Sequence, residues 1–170
     1  LLAKFVAVIT ASLYVVSTVG QELPSRYSPI VIAVQKAAPS VVNISGKKIS
    51  SVKSFAGQRD TSQVNGMGTG FFIDPSGYIL TNYHVIAGIN NIQVKLNTLA
   101  THPKSKHSAK LIGFNEHVDL AIIKIASDTN FQVMSLATSS DLMLGETVIA
   151  IGNAYGYEDS ITRGVVSALH

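Results

Sequence analysis

From residue 70 onward the chain is a series of short β-type runs set off by turn residues, with no helical period between them. The runs are GFFI (70–73), YILT (78–81), NIQVKL (91–96), AKLIGF (109–114), DLAIIKI (119–125), ETVIAIG (146–152) and SITRGVVSAL (160–169). Short strands at such spacing, with no helices between them, indicate antiparallel pairing. The chain is therefore confined to an antiparallel sandwich or barrel. SVVNIS (40–45) adds an opening strand. Helix is expected only before it: Ser28 is a suitable N-cap, Pro29 fits the first helical position, and Pro39 stops the helix at about Ala37. Between Lys47 and Asn65 the sequence is polar with little periodicity and reads as an exposed, mobile loop. No internal repeat is convincing.

With 46% hydrophobic and 14% charged residues, the 170-residue chain is neither disordered nor strongly solvating, and it holds about one domain plus a short appendage. The net charge of +3 is scattered. Its densest patch (Lys95, Lys104, Lys106 and Lys110, with His102 and His107) has no interleaved aromatic for base stacking, so it reads as solvated rather than as a nucleic-acid site. The absence of cysteine excludes disulfides, thiolate zinc sites and cysteine nucleophiles. Residues 1–20 carry one charge, Lys4, ahead of an uncharged, mostly apolar run from Phe5 to Val19. That run has the length of a signal-peptide core and is short of the ~20 residues that span a bilayer. Small residues Thr18 and Gly20 suit cleavage after Gly20. If Leu1–Ala3 extend the run, it becomes a signal anchor, a membrane tether. In both cases the chain beyond Gly20 is expected outside the cytoplasm, periplasmic or secreted. Residues 21–27 form a linker.

Two residues stand out chemically. In FFI-DPSG-YIL, Asp74 to Gly77 have the composition of a type I turn closing a hairpin. The second strand runs out at Thr81-Asn82, and His84 falls just beyond it. A histidine there is positioned by a rigid hairpin, although taken alone it reads more readily as a hydrogen-bonded structural residue. In VDLAIIKI, alternation places Asp119 on the face of Ala121, Ile123 and Ile125, where an acid is costly to desolvate without a partner. The competing reading puts Asp119 in the preceding turn, in solvent. An acid that orients an imidazole is the second element of a Ser-His-Asp triad.

These residues lead to a resemblance. GTGFFIDPSGYILTNYHVI, VDLAIIKI and GETVIAIGNAYGYEDSITRGVVSALH resemble consecutive motifs of the HtrA (Do/Deg) serine endopeptidases, and SPIVIAVQKAAPSVVNIS resembles the opening of their protease domain. The likeness covers roughly residues 28–170. It implies that His84, in T-N-x-H-V, is the general base and that Asp119, in D-L-A, is its partner. It also implies an all-β, trypsin-like fold of two perpendicular six-stranded barrels with the active site between them. The first barrel would run to about residue 137, and the second would open at 138–170. Trimeric assembly, a C-terminal PDZ domain and unfolded-protein substrates are implied as well, without cofactor or metal. The stretch 47–65 falls where the family carries a variable regulatory loop. Ala154 stands where the family commonly has proline. In the family a G-N-S-G-G segment bearing the nucleophile and oxyanion hole follows S-A-L, whereas these residues end at His170. The stretch from 28 to 170 is therefore expected to hold the base and its partner without the nucleophile, and to be inactive alone. A non-catalytic β-barrel binding or chaperone-like module with structural His and Asp is the alternative.

Other signals are weaker. Ser45 and Ser76 precede glycines but lack a nucleophile-elbow context. Gly66, Gly68 and Gly70 lead into a strand with no Gly-Lys-Ser/Thr, which speaks for close backbone approach rather than a phosphate loop. His102 and His107 are poorly placed for zinc. His117 shares Asp119's side by alternation, yet Asn115 and Glu116 suggest an exposed turn.

Overall fold

A computed structural model describes residues 26–53, 59–97, 105–154 and 157–169. The expected signal segment 1–20, most of the 21–27 linker, His102, Lys104 and His170 lie outside them. Helix α1 (Pro29–Ala37) begins as its sequence requires, with Ser28 Oγ accepting from the Val31 N–H at 3.3 Å. A 3-10 turn (Ala38–Ser40) then leads into the sheet.

Six strands close a barrel: β1 (Val41–Lys53), β2 (Arg59–Asp74), β3 (Tyr78–Thr81), β4 (Ile92–Leu96), β5 (Lys106–Asn115) and β6 (Leu120–Ile125). Their order around the barrel is β1-β2-β3-β6-β5-β4, all antiparallel, with β4 returning to β1. Alternation sets the core. Ile79, Ile92, Val94, Leu96, Ala121, Ile123 and Ile125 point inward with Val42, Ile44 and Phe72, while the residues between them in β4 and β6 stay partly exposed. Phe131 extends this packing by stacking on Phe72 with ring centroids 4.3 Å apart.

The Asp74–Gly77 turn forms as its residues dictate. The Gly77 N–H reaches the Asp74 carbonyl at 3.1 Å, and Asp74 Oδ1 accepts from the Ser76 N–H at 2.8 Å. Gly77 sits at φ +98°, and a Cβ there would stand 2.6 Å from the Ile125 carbonyl oxygen, so the position needs glycine twice over.

The polar stretch 47–65 departs from the loop expectation. Lys47 to Lys53 and Arg59 to Asn65 are strand, continuing the β1–β2 ladder from Lys47↔Asn65 to Lys53↔Arg59. Main-chain pairing carries that extension, and hydrophobic periodicity, which the sequence lacks here, does not report it.

Strands β7 (Thr147–Ala154) and β8 (Tyr157–Val165) form a separate antiparallel hairpin. Buried Asn43 and Asn97 from the barrel both donate to Asp159 Oδ1 on this hairpin, at 3.3 and 2.6 Å. An apolar cavity of about 270 Å³ lies where α1, β2 and β7 meet, lined in part by Val34, Phe71, Ile149 and Ile151.

Candidate active site

β3 ends at Thr81, and the chain turns directly into the one-turn helix α2 (Tyr83–Ile86), with Asn82 at its N-cap. His84 is the second residue of this helix. Val85 and Ile86, which come after it, pack on the barrel core. Close seating of α2 depends on Gly68 in β2: a Cβ at that position would lie 2.5 Å from Val85 Cγ1. The close approach expected of the glycine-rich start of this strand pair is thus realised at Gly68, against the element that carries His84.

Asp119 arrives at the same barrel rim from the neighbouring strand, just ahead of β6, which pairs with the end of β3 through Thr81↔Ala121. Its N–H closes a turn onto the Glu116 carbonyl at 3.2 Å, and its φ is +53°, a left-handed conformation that aspartate tolerates better than most residues. This corrects the alternation reading. Asp119 precedes β6 rather than belonging to it, and its left-handed backbone takes it off the face of Ala121, Ile123 and Ile125. Those three are buried, while the Asp119 side chain is 42% exposed. The carboxylate therefore has little desolvation to offset.

The two residues meet. His84 Nδ1 stands 2.6 Å from Asp119 Oδ2, and the His84 main-chain N–H donates to Oδ1 at 2.9 Å. The Tyr83 N–H donates to the Asp119 carbonyl at 3.2 Å. Asn82, whose side chain caps nothing in its own helix, donates from Nδ2 to the Asp119 carbonyl at 3.0 Å and to Oδ2 at 3.2 Å. Asp119 thus caps α2 from a distant segment, a task usually left to the N-cap residue itself. The His84 main-chain bond, then its ring bond, hold the Asp119 carboxyl below the ordinary value of 3.8. An ionised carboxylate only accepts, so Nδ1 carries the proton and a neutral ring presents the Nε2 lone pair outward. The His84 side chain is 71% exposed, and among the described residues Nε2 has no hydrogen-bond partner. Such an imidazole can take a proton from a group brought to Nε2 and keep the resulting charge beside a carboxylate.

The remaining residues singled out from the sequence stand apart. His117 lies in the exposed 116–119 turn, its N–H on Asn115 Oδ1 at 3.0 Å. His107 meets Ser105 and the edge of Phe131. Ser76 is engaged with Asp74, and Ser45 lies in β1. Among the described residues no group of three or more His, Cys, Asp or Glu could hold a metal ion. Asn82 is the site residue that sequence reasoning missed. Its one visible signal is its position two residues before His84 at a strand end, where a short polar side chain tends to bond locally.

A His–Asp pair on the rim of a closed six-stranded antiparallel barrel, with a further antiparallel hairpin against that barrel, is the arrangement of a trypsin-like peptidase. The family model for the trypsin-like peptidase domain matches residues 68–170. A probable periplasmic serine endoprotease, DegP-like, from Hahella chejuensis is 41% identical over 111 residues, covering 65% of this chain and 22% of that protein. Protease Do-like 1, chloroplastic, from Arabidopsis thaliana is 36% identical over 171 residues, covering 99% of this chain and 37% of its own length. Among solved structures, an HtrA-type protease with a decapeptide superposes with a TM-score of 0.72 at 30% identity, covering 81% of this chain and 44% of that one. The chain belongs to the trypsin-like peptidase family, within its HtrA (Do/Deg) group of serine endopeptidases. It spans less than half the length of each of these relatives.

Proposed function

We propose that this chain is the first part of an HtrA-like serine endopeptidase domain in which His84 is the general base and Asp119 holds its tautomer and orientation. The observation that supports this most directly is the 2.6 Å contact between His84 Nδ1 and Asp119 Oδ2, with Nε2 turned to solvent. In the triad mechanism Nε2 takes the proton of an attacking serine hydroxyl and later passes it to the leaving amine, while the aspartate stabilises the imidazolium without itself becoming protonated. Among the described residues no serine hydroxyl bonds the His84 ring. The nucleophile and the oxyanion donors are assigned to sequence beyond residue 170, in a second barrel that residues 138–170 open.

The substrates on this reading are unfolded or misfolded proteins, cleaved outside the cytoplasm by a trimeric enzyme. The apolar run of residues 1–20 supports export, as does the periplasmic designation of the Hahella relative. The decapeptide in the solved HtrA-type protease supports a peptide ligand.

In the full-length protein, His84→Ala and Asp119→Asn should each remove most casein-cleaving activity, the latter by a factor on the order of 10⁴ through the wrong tautomer. Circular dichroism should remain that of the parent. Near-normal cleavage by both variants would replace this reading with that of a binding barrel whose His and Asp are structural.

A further inference from the structure

We propose that Phe114 is a positioning residue for the His84–Asp119 pair, acting by stacking its ring on Tyr83. The proposal rests on the catalytic reading of that pair and adds to it a residue that touches neither partner.

Phe114 sits near the end of β5, beyond an irregularity in the β5–β6 register between Leu111 and Gly113. It pairs with Ala121, two residues after Asp119. Phe114 is 55% exposed and is not part of the buried core cluster, so its ring contact is made at the surface. Its ring partner is Tyr83, with centroids 4.6 Å apart and planes inclined by 12°. That separation lies within the range of favourable aromatic pairs. Tyr83 also packs against the barrel core, so its ring lies between a fixed surface and Phe114.

The stack joins the same two segments that the polar contacts join. One is Asn82–Tyr83–His84, leading into α2; the other is Phe114 through Asp119, leading into β6. On the Asp119 side they are tied by the Tyr83 and His84 N–H bonds and by Asn82. All of these involve a carboxylate or carbonyl open to water, where competing solvent bonds weaken each one. The stack is the apolar tie between the segments, and water does not compete for it in the same way. With bonds at one end and rings at the other, the stack adds to the Val85 and Ile86 packing a second restraint against α2 pivoting about the Asp119 bonds. That restricts the tilt of the imidazole, a degree of freedom to which proton transfer is sensitive.

The test uses the full-length protein with Phe114→Ala, Phe114→Leu and Phe114→Tyr. The first two should lower kcat on a peptide substrate roughly three- to tenfold at unchanged KM. In carboxyl ¹³C spectra they should also move the Asp119 titration up toward the ordinary carboxylate range, because the bonds that depress it loosen. Phe114→Tyr should restore both. Phe114→Leu keeps apolar bulk without a ring face, so it carries the test if Phe114→Ala fails to fold. Parent-like kcat and Asp119 titration in Phe114→Leu would overturn the proposal, as would an effect confined to KM, which would make Phe114 a substrate contact. The titration is read without substrate. It therefore judges the stack even if His84→Ala and Asp119→Asn left proteolysis intact, a result that would overturn only the catalytic reading.

Discussion

The carboxylate of Asp119 takes both N–H groups that His84 can offer it, the main-chain one on Oδ1 at 2.9 Å and the ring Nδ1–H on Oδ2 at 2.6 Å. One acid thus fixes where residue 84 sits and how its ring is turned. A single bond to the ring would leave the backbone free to shift, and a single bond to the backbone would leave the ring free to rotate.

The pH dependence of this contact is set by its sign. The Asp119 carboxyl is held below 3.8 in the folded chain, first by the main-chain bond from His84 and then by the ring bond. A depressed carboxyl contributes stability that is fully present above the unfolded value of about 4 and is lost as pH falls through the lower folded value. Asp119 should therefore remain ionised through the range in which free aspartate takes up a proton. Its carboxyl ¹³C shift, tracked downward from about pH 6, checks this. His84→Ala should weaken the depression without abolishing it, because alanine keeps the main-chain donor, the largest single cause, while the ring's bond and charge are lost. A folded-state midpoint at or above the ordinary value would contradict the bidentate geometry.

The left-handed backbone of Asp119 makes a separate prediction about stability. Alanine at φ +53° brings its Cβ against the following carbonyl, whereas glycine meets no such penalty. Asp119→Ala and Asp119→Gly lose the same carboxylate, so their difference isolates the backbone. Urea unfolding should find the glycine variant the more stable by roughly 1 kcal/mol, despite glycine's greater unfolded-state freedom. Alanine proving the more stable would place Asp119 in an ordinary conformation.

Asn82 bonds both the carbonyl and the carboxylate of Asp119 and should act through that residue. In the full-length enzyme, Asn82→Ala should lower kcat/KM by up to roughly tenfold, the scale of one or two partly exposed hydrogen bonds to a charged group. Asn82→Asp should be worse, since it sets a second carboxylate against the first. Equal activity of Asn82→Asp and the parent would show that the amide donates nothing needed there.

Much of this architecture was open to local reading, and its limits lie in the reach of local patterns. YILT coincides with β3, and Ser28-Pro29 opens α1 where capping chemistry says it should. Alternation identified the inward set Ala121, Ile123 and Ile125 but failed one residue outside the strand, because a single left-handed residue cancels the period. The extended arms 47–53 and 59–65 were missed because main-chain pairing leaves no mark on side-chain pattern. Barrel closure through β3–β6 and β4–β1 joins strands distant in sequence, a relation no local period encodes. His84 and Asp119 stood out by their places at strand ends and took their roles from resemblance to known motifs, whereas the contacts of Asn82 and Phe114 are legible only once the two segments lie side by side.

Gly68 offers a way to move His84 without touching it. A Cβ there would lie 2.5 and 2.6 Å from the two γ-methyls of Val85, closer than such atoms can stand. Gly68→Ala should push α2 outward, cost about 1–3 kcal/mol of stability through overpacking, and lengthen the His84–Asp119 contact. Val85→Ala removes the two methyls that the new Cβ meets, so the double variant should recover much of the lost stability and activity, whereas Val85→Ala alone should lose some of each. The coupling energy from this cycle, measured by urea unfolding and by kcat/KM on the full-length protein, should therefore be clearly favourable. Additive effects of the two substitutions would mean that α2 is not seated on Gly68, and that the position of His84 is set by its other contacts.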